Sequence, residues 1–237
     1  PVIPLDPITV ERPKTDPFTQ DEQIAIFNAL DDFPDEYGRR GSEIAHQTRA
    51  FVMVLRYTGM AIGDVTKLEK SHVSGMRIRT HRKKTLEEVF AKVPQFVIDT
   101  LQSAPHDSNQ YFFWTGEGKI HTRTSKWGVR LQKLFVLANV QVAEVQKTRR
   151  SGGKLKKEQE MVMVSTATPY MFRHTLARDF LEHGGSMAEL AELLGNSART
   201  CEKYYSKWDK RRQDRLEKNL LGGHLKTGHT WPHQNRP

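Results

Sequence analysis

A single cysteine, Cys201, leaves no partner for an internal disulfide, which excludes the small cross-linked secreted domains and points to a reducing, cytoplasmic setting. No apolar run is long enough to span a bilayer, and no membrane role is expected. No secretory pattern opens the chain. The first residues, PVIPLDPITVERPKTDP, are proline-rich and read as an interdomain linker over 1–17, with a further domain expected before it. Internal repeats are absent too. Acidic excess is also lacking: 37 Lys and Arg stand against 28 Asp and Glu, a net charge of +9 that favours a polyanionic partner.

What is present is a soluble, globular composition, 37% hydrophobic and 27% charged, with bulk for one large domain. The basic residues cluster. Arg77, Arg79, Arg82, Lys83 and Lys84 crowd one short segment, and Lys147, Arg149, Arg150, Lys154, Lys156 and Lys157 form a second group with no acid between them. These are the candidate phosphate contacts. The later stretch SKWDKRRQDRLEK mixes its charges and reads as a solvated helix.

Periodicity predicts a mainly α protein with a small antiparallel β-hairpin or sheet, an α+β class. In FTQDEQIAIFNAL, Thr19 and Glu22 make a capping box and Ile24, Phe27 and Leu30 share a face. A second helix from about Glu43 carries Ile44, Phe51, Val52 and Leu55 and stops at Gly59; IGDVTKLEKSHV follows as a short helix. Met76, Ile78 and Thr80 then alternate with Arg77, Arg79 and His81 as in a strand, with EEVFAKV its hairpin partner and a turn near 84–87. Helices are expected from Pro94 to about Leu101 and from Ser125 to Ala138. The basic segment 140–166 reads as a mobile loop or an extended hairpin arm. In TPYMFRHTLARDFLEHGG, Phe172, Leu176 and Phe180 bury one side, with Arg173 at its edge. Ser186 and Glu189 cap the next helix, where Leu190, Leu193 and Leu194 pack inward, and residues 219–237 read as a disordered tail.

Within LLGNSARTCEKYYSKW two adjacent tyrosines, Tyr204 and Tyr205, sit among cations. Alone, such a pair reads as helix packing with wet hydroxyls. The ordered set changes the weight: RYTGMAIGDVTKLE, a basic hairpin with a KT turn, PYMFRHTLA, LLGN and EKYYSKW. Over residues 18–218 this resembles the catalytic domain of the tyrosine recombinases, the phage-integrase family. The resemblance implies a domain that cleaves and rejoins DNA through a 3′-phosphotyrosine, without metal or other cofactor. Its implied partners are double-stranded DNA and other protomers in a tetrameric synapse. Tyr205 matches the family nucleophile, Arg173 the second family arginine, Lys84 the hairpin lysine (with Lys83 its competitor), and His174 a structural neighbour.

Three positions depart from the pattern. Ala61 stands where the family has its first arginine, Tyr170 where it has the histidine of His-x-x-Arg, and Asn196 where it has the histidine of LGH. Arg56, across the Gly59 break, is not assumed to substitute.

The chemistry explains why those residue types matter. A phenol near pKa ~10 needs nearby cations to attack at neutral pH. Guanidinium forks suit the charged phosphate oxygens, and a lysine can protonate the leaving 5′-oxygen. Ala61 offers no donor, while Tyr170 and Asn196 can still hydrogen-bond, so cleavage is expected to be slow or absent. The alternatives are a non-catalytic DNA-binding relic of the same fold and, less well matched, a type IB topoisomerase-like enzyme. A metal site at His224, His229 and His233 is weaker still, because no cysteine accompanies them.

Overall fold

Thr19 closes the first turn of α1 (Gln20–Asp32). Its hydroxyl accepts from the Glu22 amide at 3.1 Å, and the Glu22 carboxylate accepts from the Thr19 amide at 2.8 Å. The stripe that α1 buries is Ile26, Ala29 and Leu30, continued by Phe33, while Ile24 is 49% exposed. The buried face is therefore rotated from the one expected, because α1 packs against two later helices, one of them the next in sequence, and the spacing 26, 29, 30, 33 faces both. The structure is a computed structural model that describes residues 16–33, 40–81, 88–106, 108–151 and 156–226.

Helix α2 (Gly41–Thr58) buries Phe51, Val52, Val54 and Leu55 and ends at Gly59, whose φ of 63° is left-handed. A Cβ at Gly59 would sit 2.8 Å from Leu176 and 3.0 Å from Leu194, so glycine here permits both a turn and a close approach of three helices. The stretch after it is shorter than expected. Ala61 caps α3 (Ile62–Thr66), and a separate 3-10 turn follows at Lys70–His72.

A three-stranded antiparallel sheet comes next, in order β1 (Val73–Ser74), β2 (Arg77–His81), β3 (Glu88–Lys92). Ile78 opposite Ala91 supplies its buried pair. The sequence hid β1, which is two residues long. Met76, expected to face inward, lies in the turn before β2 and is 37% exposed. The turn expected at 84–87 lies outside the described residues.

Helix α4 (Gln95–Ser103) follows Pro94, and α5 (Ile120–Leu137) begins five residues earlier than Ser125. Trp127 of α5 stacks on Phe51 at 4.1 Å between centroids, which anchors the main core. The basic segment is an arm: β4 (Val142–Ser151) and β5 (Lys156–Ser165) form an antiparallel hairpin.

The last third is helical: α6 (Tyr170–Glu182), α7 (Met187–Leu194), α8 (Ala198–Tyr205) and α9 (Lys210–Lys226). The Ser186–Glu189 capping box closes the start of α7, and Gly195 ends it in the left-handed region. Leu193 is only partly buried, beside the buried Leu190 and Leu194. Helix α9 continues through Lys226, into the stretch read as a tail. Met171 and Phe172 of α6 belong to the main core, whereas Ala177 and Leu181 join a second cluster with Leu190, Leu194, Cys201 and Tyr205. Arg173 and His174 fall between the two.

Candidate active site

Packing on both sides explains the first departure from expectation. Helix α6 lies against α2 on one side and against α7 and α8 on the other. Its buried set is therefore Met171 to Thr175, Ala177 and Leu181, while Leu176 and Phe180 are only partly covered. Arg173, expected at the edge, is 2% exposed. Its two terminal nitrogens donate to backbone carbonyls, Gly59 O at 2.8 Å and Leu194 O at 2.7 Å. Both carbonyls end helices, where the backbone dipole concentrates negative charge. The guanidinium thus ties α2 to α7 beside Ala61 and Asn196. No carboxylate pairs with it among the described residues, and its buried Nε has no hydrogen-bond partner.

Tyr205 ends α8 and is 1% exposed. Its ring lies 5.5 Å from His174 and 6.0 Å from Trp208. Burial pushes its phenol well above the ordinary tyrosine range and nearby Tyr170 adds to this, while the Arg173 charge pulls the other way. The phenol stored here is a protonated one. Tyr204, next in sequence, is 54% exposed, with Lys203 Nζ 5.4 Å from its ring centre.

His174 is buried, and Tyr170 meets it edge-on at 4.7 Å. Tyr170 itself is half-exposed, with the Arg173 guanidinium carbon 6.0 Å from its ring centre. The structure thus gathers Tyr205, Arg173, Tyr170 and His174. Asn196 follows Gly195 at the rim of a cavity of about 720 Å³ that Phe90, Phe180 and Leu193 also line. Ala61 is extended and partly exposed. Arg56 is engaged elsewhere, with Gln23 at 2.6 Å and with Asp179, so it holds α1 to α6. Arg77 and Arg79 are exposed on β2. Lys147, Arg149 and Arg150 lie on β4, and Lys84, Arg82, Lys83 and Lys154 fall outside the described residues.

Sequence reasoning missed two features. The carbonyl acceptors of Gly59 and Leu194 leave no sequence signal, because every residue has such an oxygen. Lys207, inside the quoted motif, pairs with Asp16 at 3.1 Å and lies 4.4 Å over the Trp208 ring.

Burial first, then the charge of Arg173, lowers the His174 pKa to about 4 from 6.5; Asp16 opposes this and Lys207 adds to it. The imidazole is neutral at pH 7. Its depressed folded value means the associated stability is intact above 6.5 and is lost as pH falls toward about 4. Urea unfolding at pH 7 and pH 4 should show wild type losing about 3 kcal/mol more than His174→Gln. Equal losses would remove His174 from the acid response.

The sequence matches the family model described as "Phage integrase family" over residues 18–211. The chain belongs to the phage integrase family. Solved structures agree on the fold. XerA recombinase superposes with a TM-score of 0.54 at 21% identity, covering 84% of this chain and 61% of that one. XerH bound to its difH substrate after cleavage gives 0.57 at 14%, covering 86% and 53%. The catalytic domain of bacteriophage HP1 integrase gives 0.51 at 15%, covering 86% and 94%. The chain therefore spans less than two thirds of the XerA and XerH chains and nearly all of the HP1 catalytic domain. No curated protein matches it by sequence. Among the described residues of this phage-integrase chain, no helix is long and apolar enough to cross a membrane. Nor do any three His, Cys, Asp or Glu residues there form a group able to hold a metal.

Proposed function

We propose that the chain is the catalytic domain of a tyrosine recombinase or integrase that cleaves and rejoins duplex DNA through a 3′-phosphotyrosine, with Tyr205 as nucleophile. The observation that carries this reading is the placing of Tyr205 against Arg173 and His174 in the interior of a phage-integrase domain. In the forward step the Tyr205 phenol gives its proton to water, its oxygen bonds to phosphorus, the bond from phosphorus to the 5′-oxygen breaks, and Lys84 gives that oxygen its proton. Arg173 stabilises the charged non-bridging oxygens. Tyr170 and Asn196 offer hydrogen bonds at the positions matched to histidines of the family pattern. Because Tyr205 is buried and protonated, attack requires the end of α8 to lift it toward the phosphate. Religation reverses the bonds and needs no cofactor.

Duplex DNA and further protomers are the proposed partners, in a tetrameric synapse and a cytoplasmic setting. The solved XerH structure holds DNA substrate, and lambda integrase is known as a dimer bound to a core site. Ala61 favours a second reading, a DNA-binding relic, because it removes a phosphate-binding guanidinium outright. Incubation with a nicked suicide duplex separates the two. A covalent adduct mapped to Tyr205 supports the enzyme, and retained binding with no adduct supports the relic. In either case affinity should fall steeply with salt, since Lys and Arg contacts release counterions; a salt-independent affinity would remove DNA from the account.

A further inference from the structure

Tyr205 is buried and attack needs the end of α8 to lift, so whatever fastens that end governs when the phenol is available. Helix α8 stops at Tyr205, and a 3-10 turn, Ser206–Trp208, follows it. The Tyr205 ring lies between His174 of α6 and Trp208 of this turn, with centroids 5.5 and 6.0 Å away. Lys207 fastens the turn from outside. Its Nζ sits 4.4 Å over the Trp208 ring and donates to Asp16 Oδ1 at 3.1 Å.

Both side chains of this ion pair are more than half exposed. Most such pairs contribute little, because ordering two side chains offsets their attraction. Here much of that ordering is already done. Phe18 is fully buried against Phe135 and Phe172. Its amide donates to Thr175 Oγ1 at 2.9 Å, and its carbonyl accepts from Arg178 at 3.1 Å. Pro17 fixes its own φ and restricts the residue before it to extended conformations. Asp16 is therefore held two residues from a fixed point on α6, while the Trp208 ring steadies Lys207. The pair also reaches the site electrostatically, since His174 feels Asp16 and Lys207 with opposite signs.

We propose that Asp16 and Lys207 are positioning residues for Tyr205: their ion pair clasps the turn after α8 to the segment anchored on α6, keeps the phenol in its buried position, and opens as α8 lifts. This rests on the reading of Tyr205 as the nucleophile. It goes beyond that reading by naming what restrains the residue. An exposed pair shifts such an equilibrium by up to about 5-fold, so the clasp delays release without forbidding it.

The test nitrates the whole chain with tetranitromethane, which attacks accessible phenolates, and scores Tyr205 against its exposed neighbour Tyr204 by mass spectrometry. D16N and K207Q should each raise that ratio about 2–5-fold at low salt. The double variant should do no more than either single, because the same interaction is lost in all three. D16K/K207E reverses the pair and should return the ratio toward wild type. Added salt should raise the ratio in wild type and not in D16N, since an exposed ion pair is screened. K210Q removes an equal charge from the start of α9 and should leave the ratio unaltered. Circular dichroism checks that each variant folds. On a saturating suicide duplex, D16N should speed adduct formation by a like factor. Adducts absent throughout, with the nitration ratios as expected, would remove the recombinase reading and leave the clasp standing. Unaltered ratios in D16N and K207Q, or rises that the charge reversal does not undo, would overturn the clasp. An equal rise in K210Q would assign the effect to net charge and overturn it as well.

Discussion

Ala61→Arg raises covalent capture of a suicide duplex by roughly 10²–10³-fold, the usual worth of one preorganised charge-stabilising donor. Tyr205→Phe abolishes capture in either background. Ala61 lies two residues beyond Gly59, whose carbonyl Arg173 holds, so a guanidinium introduced there starts close to the existing one. Its backbone is extended, with φ of −71° and ψ of 151°, and it is partly exposed, so a long side chain meets no backbone strain. With Arg173 alone, charge that develops on the second non-bridging oxygen lacks a fork. Tyr205→Phe keeps the ring that packs between His174 and Trp208 and removes only the phenol oxygen. Tyr204→Phe leaves capture intact, because that phenol is exposed on another side of α8. Lys84→Ala slows cleavage more than binding, since a proton donor acts in the transition state. The measurement is adduct yield over time on a denaturing gel. No gain from Ala61→Arg, with DNA binding preserved, would mean that Tyr170 and Asn196 disable the site as well, and the relic reading would stand.

Local chemistry was legible in the sequence. The capping boxes at Thr19 and Ser186 and the left-handed stops at Gly59 and Gly195 depend on residues within one turn of each other, and each forms where the pattern placed it. The motif set also identified the family. What failed depended on neighbours distant in sequence. The stripe on α1 rotated because α2 and α5 together supply the groove. Arg173 moved from an edge to the interior because α6 is covered from two sides, a fact its own periodicity cannot encode. The arm at 140–166 read equally as loop or hairpin because its basic residues obscure the two-residue alternation.

Arg173→Ala lowers the unfolding free energy by about 3 kcal/mol, and Arg173→Lys by roughly half as much. The opposite expectation has a physical basis. A buried guanidinium with no carboxylate partner carries a desolvation cost, so its removal could stabilise a domain in which it served chemistry alone. The two backbone bonds decide the sign. Arg173 donates to Gly59 O and Leu194 O at 2.8 and 2.7 Å, and each charge-assisted bond is worth roughly 1.5–3 kcal/mol. Truncation leaves both buried carbonyls without that donor and loosens the ends of α2 and α7 together. Lysine restores charge but not the fork, so it serves one carbonyl at a time. The loosening also spreads the segments that carry Ala61 and Asn196, so DNA capture and stability should fall in parallel across the series. Urea denaturation of the three proteins at pH 7 measures the stability. If Arg173→Ala matches or exceeds wild type, the clamp between α2 and α7 does not stabilise the fold, and Arg173 is held in place for the phosphate alone.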